Sequence, residues 1–174
     1  MKTLLILRHA KSDWDNSGLA DFDRPLARRG QRDAPGMGEV LARSGCVPDR
    51  IISSPALRAR QTAELVAQAC GYQMPIFWED TFYGGSSQDL VRFLQSLPGH
   101  VERPLLIGHN PLLEETVSTL LRPPGPGWSE YFGIRIPTAG LICLELDIAD
   151  WGELEPGDAM LCWFLIPKLV DAIR

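Results

Sequence analysis

The sequence predicts an α/β protein, a three-layer sandwich in which helices flank a mostly parallel central sheet. Short apolar runs, typical of buried parallel strands, alternate with segments of helical spacing. The clearest of these runs are Thr3–Leu7, Arg50–Ser53 and Pro104–Ile107. A length of 174 residues suits one well-packed domain, so we expect residues 1–174 to form a single domain.

Helices are predicted between these strands from apolar periodicity and from capping residues. Ser86 and Asp89 have the spacing of a capping box, and Gly71 is expected to end a helix. Asn110 and Pro111 are expected to be the cap and the first-turn residue of a later helix. The predicted helices are Arg28–Arg43, whose pattern Pro35 and glycines weaken, Ala56–Cys70, Gln88–Leu97 and a segment that ends near Leu121.

The remaining segments predict further strands and one loop. Pro75–Trp78 is a candidate third strand, and Leu141–Ile148 with Ala159–Ile166 form a predicted closing pair. The proline- and glycine-rich stretch Arg122–Trp128 is expected to be a surface loop.

The overall charge excludes two classes of partner. A net charge of −5 argues against binding to nucleic acid or to an anionic membrane. No apolar run reaches the length of a membrane span, and the first run is typical of a strand rather than of a signal peptide. We therefore expect a soluble, cytoplasmic protein without a nucleic-acid or membrane partner.

The cysteines and histidines do not form a metal-binding pattern. Cys46, Cys70, Cys143 and Cys162 contain no CxxC pair, and the three histidines form no HExxH motif. We therefore expect neither a metal ion nor any other cofactor.

Three stretches with chemically versatile side chains each follow a predicted strand. They are Arg8-His9, "SSPALRARQT" from Ser53 to Thr62, and "GHNP" from Gly108 to Pro111. Because ligands bind outside the carboxyl ends of strands in open α/β sheets, Arg8, His9, Arg58 and His109 are expected to meet in one crevice. Two arginines and two histidines there predict a site for a dianionic phosphoryl group, since guanidinium groups match phosphate oxygens.

His9 is the candidate nucleophile of that crevice. Arg8, Arg58 and His109 would neutralise the phosphate oxygens, and a neutral imidazole can attack phosphorus in line. Neighbouring cations are expected to lower the pKa of His9, and its other ring nitrogen should donate to a backbone carbonyl. The predicted product is a phosphohistidine that water hydrolyses without a metal.

Each of these residues also has a simpler explanation when it is taken alone. Arg58 and Arg60 could be solvated charges on a helix, and His109 could merely neighbour a helix cap. Such explanations are preferred for four other basic residues: Arg28, Arg29, Arg43 and His100. It is the joint placement of His9, Arg58 and His109 that favours the functional interpretation.

Taken together, "LRHAKSDW", "DFDRPLARRG", "SSPALRARQT", "GHNP" and "FLIPK" resemble the histidine phosphatase (phosphoglycerate mutase-like) superfamily. Within it, the chain looks like the SixA-type phosphohistidine phosphatases over nearly its whole length. The resemblance implies the phosphoglycerate mutase-like fold, with His9 as the phosphorylated nucleophile. It implies Arg8, Arg58 and His109 as the phosphate pocket, and Ser12 as a polar residue near the phosphate.

The chain departs from the family pattern at two places. Ala10 follows His9 where the family usually has glycine, which predicts a slightly narrower pocket. Many members place a glutamate proton donor three residues before a tyrosine, and here Asp80 has that spacing from Tyr83. Because aspartate reaches less far, the identity of the donor stays open between Asp80, Glu79 and another acid.

The choice of substrate depends on the leaving group and on the crevice. A phosphoester expels an alkoxide that needs a proton, whereas phosphohistidine expels an imidazole that is readily protonated. Short connections leave little chain for a lid, and Trp14 either lines the open crevice or anchors its loop. The segment Asp21–Leu26, "DFDRPL", is expected to position this loop by pairing an aspartate with an arginine.

The sequence therefore predicts a metal-independent phosphatase that acts on phosphohistidine of a signalling protein, such as a histidine phosphotransfer domain. One alternative is a broad phosphomonoesterase for small molecules, and another is a phospho-binding module without activity. A monomer is expected, with a dimer as the alternative.

Overall fold

The computed structural model describes residues 1–15, 18–122 and 133–172. Within these residues, one sheet forms the centre of the fold. Its strands are β1 (Lys2–Arg8), β2 (Arg50–Ser53), β3 (Phe77–Trp78), β4 (Pro104–Gly108), β5 (Leu141–Leu146) and β6 (Ala159–Leu165). They lie side by side in the order β3-β2-β4-β1-β5-β6.

The sheet is parallel at its centre. β1 pairs in parallel with β4, β4 with β2, and β2 with β3, whereas β5 is antiparallel to both β1 and β6. The register sets Arg8 opposite Gly108, and Ser53 opposite Ile107. The carboxyl ends of β1, β4 and β2 therefore lie side by side, and the three chemically versatile stretches leave the sheet at this common edge.

Helices cover both faces of the sheet. They are α1 (Arg28–Arg43), α2 (Leu57–Cys70), α3 (Thr81–Gly84), α4 (Ser87–Gln95), α5 (Leu112–Leu120) and α6 (Pro167–Ala172). Short 3-10 turns lie at Asp21–Asp23 and Trp151–Glu153. Helix α1 runs through Pro35 without a break, because its buried face, with Met37 and Leu41, packs in the apolar core.

Two apolar clusters, one on each face, produce the three layers. Leu4 and Ile6 of β1 belong to the cluster that includes residues of α4 and α5. Leu5 and Leu7 belong to the cluster that includes residues of α1 and α2. Successive side chains of a strand point to opposite faces, so a strand covered on both faces is apolar throughout. The predicted α/β sandwich is confirmed.

The helix boundaries confirm two local predictions and correct a third. Ser86 and Asp89 form the predicted capping box, and Gly71 has the left-handed conformation of a C-terminal cap. The predicted cap by Asn110 is wrong. Helix α5 begins at Leu112 and has no side-chain cap, since Asn110 uses its amide to donate hydrogen bonds to Glu114 and to the carbonyl of Ile136.

Two predicted strands are shorter in the structure than in the sequence prediction, and one predicted loop lies mostly outside the described residues. β3 contains two residues, and β5 ends at Leu146. The predicted loop Arg122–Trp128 falls outside the described residues beyond Arg122. In the described part of the chain, no helix combines the length and apolar character that crossing a bilayer requires.

Candidate active site

A cavity of about 380 Å³ lies where β1, β2 and β4 end. The structure brings four of the predicted side chains together around it: Arg8, His9, Arg58 and His109. The cavity wall also contains Lys11, Ser12, Trp14, Asn110 and Thr138. Side chains from three distant segments therefore surround one space, and most of them are basic or neutral hydrogen-bonding groups.

The His9 ring is fixed in one tautomer. Its Nδ1 lies 2.8 Å from the carbonyl oxygen of Ala10, which can only accept a hydrogen bond, so Nδ1 carries the ring proton. Nε2 is then the nitrogen with a free lone pair. His9 is buried, with 7% of its surface exposed. This hydrogen bond to a backbone carbonyl is the one that the sequence predicted.

The charge state of His9 follows from its surroundings. Burial, together with the charges of Arg58 and Arg8, lowers its pKa to about 4, against the opposing effects of the Ala10 carbonyl and Asp21. The sequence attributed the lowered pKa to neighbouring cations, but burial is the larger cause. At neutral pH the imidazole is therefore uncharged and nucleophilic.

Backbone hydrogen bonds hold the end of β1 in place. The amide of His9 donates to the carbonyl of Gly108 at 3.0 Å, and the amide of Ala139 donates to the carbonyl of His9 at 3.2 Å. Thr62 of α2 links this segment to Arg58: its Oγ1 accepts from the amide of Ala10 at 3.0 Å and donates to the carbonyl of Arg58 at 2.7 Å. Thr62 therefore links the backbone next to His9 to the backbone of Arg58.

Arg58 is held by Asp21, a residue that the sequence did not place in the site. Nη2 of Arg58 donates to Oδ2 of Asp21 at 2.9 Å, and Nη1 donates to the backbone carbonyl of the same residue. The predicted pairing of an aspartate with an arginine in "DFDRPL" does exist, since Arg24 also lies 3.8 Å from Asp21. The second arginine that Asp21 binds, Arg58, is 37 residues away in the chain. A pattern of neighbouring residues in the sequence cannot reveal a contact over that separation.

Asp21 is ionised in this position. Burial alone would raise the pKa of its carboxyl group, but the hydrogen bond and charge of Arg58 outweigh that effect and hold the pKa below its usual value. The hydroxyl of Tyr83 also donates to Oδ2 of Asp21 at 3.2 Å. A carboxylate, an arginine and a tyrosine therefore form one cluster beside the cavity.

His109 lies against His9, with the two ring centroids 4.9 Å apart. Its Nε2 is 2.8 Å from Oγ of Ser54, whose hydroxyl can donate to it. Its Nδ1 is a buried atom without a partner among the described residues. Burial, with the charges of His9 and Arg58, lowers the pKa of His109 to about 3. His109 is therefore neutral at neutral pH, and its ring forms part of the cavity wall.

Arg8 is oriented by the backbone at Ile136. Its Nη1 donates to the carbonyl of Ile136 at 2.8 Å, and the same carbonyl accepts from the amide of Asn110 at 2.9 Å. Glu114 holds this arrangement, since its Oε1 accepts from the Ile136 amide at 2.8 Å and from Asn110 at 2.7 Å. Arg8 thus has a fixed position at the cavity wall.

The remaining candidates differ in their distance from the cavity. Ser12 is buried in its wall, and its Oγ accepts from Nε1 of Trp14 at 3.0 Å. Trp14 lines the cavity and is also anchored, because the guanidinium of Arg24 lies 4.3 Å from its ring. Asp80 is exposed at the start of α3 and is not part of the cavity wall, so its role as a proton donor stays a prediction.

The side chains of the described residues contain no group of three or more His, Cys, Asp or Glu that could hold a metal ion.

Comparison with known proteins identifies the family of the chain. A model of the histidine phosphatase superfamily (branch 1) matches residues 4–82. An uncharacterized protein of Mycobacterium tuberculosis is 31% identical over 164 residues, which are 93% of this chain and 100% of that protein.

Solved structures share the whole fold. One that is assigned to the phosphohistidine phosphatase SixA of Agrobacterium tumefaciens superposes with a TM-score of 0.77 at 28% identity, over 95% of this chain and 98% of that chain. A protein histidine phosphatase SixA complexed with tungstate has the same fold, with a TM-score of 0.80 at 24% identity over 97% and 99% of the two chains.

Fold and relatives together define the chain as a phosphatase with a phosphoglycerate mutase-like α/β fold. It belongs to the histidine phosphatase superfamily, and its structural neighbours are SixA phosphohistidine phosphatases. The resemblance seen in the sequence is confirmed.

Proposed function

We propose that this phosphatase acts on phosphohistidine of a cytoplasmic signalling protein, such as a histidine phosphotransfer domain, through a phosphohistidine intermediate on His9. The observation that carries the proposal is the uncharged imidazole of His9 in a cavity shared with Arg8, Arg58 and His109. Neither step of the reaction requires a metal ion.

In the first step, Nε2 of His9 attacks the phosphorus atom and the bond from phosphorus to the leaving group breaks. The ring proton stays on Nδ1, where the Ala10 carbonyl stabilises the positive charge that develops on the imidazole. Arg8, Arg58 and His109 bind the phosphoryl oxygens, whose charge must be neutralised throughout the transfer. In the second step, water attacks the phosphorus, which releases phosphate and restores the neutral His9.

The ionised state of Asp21 favours a phosphohistidine substrate over a phosphoester. A phosphoester leaves as an alkoxide, which needs a general acid. Asp21 is held ionised, and the residues that the structure describes in the cavity wall include no carboxylic acid. Phosphohistidine can take up a proton from water on its free ring nitrogen before the P–N bond breaks. It then leaves as a neutral imidazole, so the enzyme can use it without such an acid. If a phosphoester were the substrate, Asp80 would be the candidate donor.

The mouth of the cavity suits a phosphoryl group that is attached to a protein. Trp14, Phe22 and Tyr83 keep exposed aromatic surface near it, and exposed aromatic rings are frequent in protein interfaces. Phe22 and Tyr83 also pack edge to face, with centroids 5.1 Å apart, which holds both rings in place. The relative that is assigned as a SixA phosphohistidine phosphatase, at 28% identity, supports the same substrate class.

The experiment that tests this proposal is the mapping of a labelled intermediate. The full chain is mixed with a phosphotransfer protein that carries radioactive phosphohistidine, quenched and digested. We expect a label that is stable in alkali, labile in acid and located on His9, and a rate of phosphate release that EDTA does not change. His9→Ala should abolish both label and release, whereas His100→Ala should retain them. A label on another residue, or none in a competent enzyme, would overturn the mechanism.

A broad phosphomonoesterase remains the second candidate, because a cavity of about 380 Å³ also accepts a small phosphoester. Values of kcat/KM separate the two functions. A higher value for p-nitrophenyl phosphate than for the phosphohistidine protein would favour the second candidate. We expect kcat/KM to be higher for the phosphohistidine protein. We also expect the protein to elute as a monomer in gel filtration.

A further inference from the structure

Asp21 binds the same arginine that a phosphoryl group would need. Both terminal nitrogens of Arg58 donate to Asp21, one to its carboxylate and one to its backbone carbonyl. Arg58 binds phosphate best through two parallel N–H groups. Both terminal nitrogens of the guanidinium group therefore already have a partner in Asp21.

The charge of Asp21 also reaches the centre of the site. It raises the pKa of His9 and that of His109, opposing the larger effect of burial on both rings. These two rings are the groups that would lie next to a bound phosphoryl group. A phosphate dianion in the cavity would therefore be repelled by the carboxylate while it competes with it for Arg58.

We propose that Asp21 is an internal anion that competes with a phosphoryl group for Arg58 and yields the Nη2 group when the phosphoryl group binds. The residue then weakens the binding of free phosphate, and a protein substrate offsets the same penalty through contacts outside the cavity. The inference rests on the proposed function in one respect, namely that the phosphoryl group occupies the cavity beside His9.

The surroundings of Asp21 permit such an exchange. Its side chain is about half exposed, at 49%, so the carboxylate can move into water, whereas the Arg58 side chain is 9% exposed and stays in the cavity wall. After Arg58 is released, the Tyr83 hydroxyl at 3.2 Å and Arg24 at 3.8 Å remain as partners of the carboxylate. Neither of the exchanging groups is left as a buried, unpaired charge.

The competition between Asp21 and phosphate for Arg58 affects the release of the product, inorganic phosphate. A protein substrate brings contacts outside the cavity, and these can offset the loss of the pair between Arg58 and Asp21. Inorganic phosphate has no such contacts once the reaction is complete, so the return of Asp21 to Arg58 promotes its release. The enzyme should therefore be weakly inhibited by its own product.

The test compares the binding of inorganic phosphate to Asp21→Asn and to Asp23→Asn in the full chain, by calorimetry. The asparagine at position 21 keeps the size and the acceptor oxygen but removes the charge. We expect it to lower the Kd of inorganic phosphate about tenfold, because one repulsive charge is removed and the remaining amide oxygen is a weaker partner for Arg58 than a carboxylate. Asp23 lies in the same 3-10 turn and makes no hydrogen bond to Arg58, so the same change there should alter the Kd less than about twofold.

The direction of the change separates this proposal from a purely structural role. If Asp21 only orients Arg58, then Asp21→Asn binds phosphate more weakly, and that result or an unchanged Kd would overturn the proposal. Asp21→Ser is the second variant and should change the Kd in the same direction, with folding checked by circular dichroism. Since binding is measured without turnover, the outcome is independent of the labelling experiment on His9, which tests the proposed function.

Discussion

Single atoms around His9 decide its chemistry. The carbonyl oxygen of Ala10 fixes the ring proton on Nδ1, and burial keeps the ring uncharged. Position Ala10 is where the family usually has glycine, and its methyl group is fully buried. The Ala10 backbone is held in turn by Thr62, so the tautomer of the nucleophile depends on one threonine hydroxyl of α2.

The lowered pKa of His9 predicts a specific dependence of stability on pH. The unfolded chain binds a proton at His9 below its ordinary pKa of 6.5, whereas the folded chain stays neutral down to about 4. Stability from this residue is therefore complete above pH 6.5 and is lost as the pH falls towards 4. Between about pH 7.5 and pH 5, the wild type should lose about 2 kcal/mol more unfolding free energy than His9→Asn does.

Urea unfolding at the two pH values measures this difference. His109 shifts the stability in the same direction in both proteins, and burial, the largest cause of its lowered pKa, is common to them. The difference between the two proteins therefore reports mainly on His9. Parallel losses of stability in the wild type and in His9→Asn would contradict the assignment of a buried, neutral imidazole.

At the scale of elements, the approach of α1 to α2 depends on a glycine. A Cβ atom at Gly38 would lie 2.6 Å from the Cβ of Ala69 and 2.6 Å from the carbonyl oxygen of Val66. Both contacts are on α2, the helix that carries Arg58 and Thr62. The absence of a side chain at Gly38 therefore allows the two helices to pack closely behind the site.

We expect Gly38→Ala to lower the unfolding free energy by about 1–3 kcal/mol, because the methyl group must push the two helices apart. Gly84→Ala is the matched control in α3, where nothing lies within 4 Å of the added atom. That variant should be unchanged or slightly more stable, since alanine favours helix over glycine. Chemical denaturation of both variants provides the measurement, and equal losses would contradict the close approach.

The helix caps show which features can be predicted from the sequence. The capping box at Ser86 and the glycine cap at Gly71 are local patterns, and both were predicted correctly. The cap at Asn110 was predicted by the same logic and is wrong, because the amide binds Glu114 and the distant carbonyl of Ile136. Asp21 was recognised only as a loop residue, since its contact with Arg58 depends on how the 3-10 turn packs against α2.

At the scale of the whole molecule, the sheet connects two apolar clusters into one structure. Leu105 and Leu106 are neighbours in β4, yet Leu105 belongs to the cluster on the side of α1 and α2 and Leu106 to the cluster on the side of α4 and α5. Both are fully buried. Because one strand serves both clusters, we propose that residues 1–174 unfold as a single domain.

Truncation of either leucine tests this cooperativity. Leu105→Ala and Leu106→Ala should each lower the unfolding free energy by about 2–5 kcal/mol, the usual effect of a cavity in a core. In each variant, tryptophan fluorescence and far-ultraviolet circular dichroism should report the same transition, because Trp151 and Trp163 lie in different clusters. Separate transitions for the two probes would show that the two faces unfold independently.

The hydrogen bond from Nδ1 of His9 to the Ala10 carbonyl also determines regiochemistry. A histidine can be modified on either ring nitrogen, and the two positional isomers are distinct compounds with different phosphorus resonances and different recognition by isomer-selective antibodies. With one nitrogen tied to the main chain, the proposed adduct forms as a single isomer, the one substituted farther from the backbone.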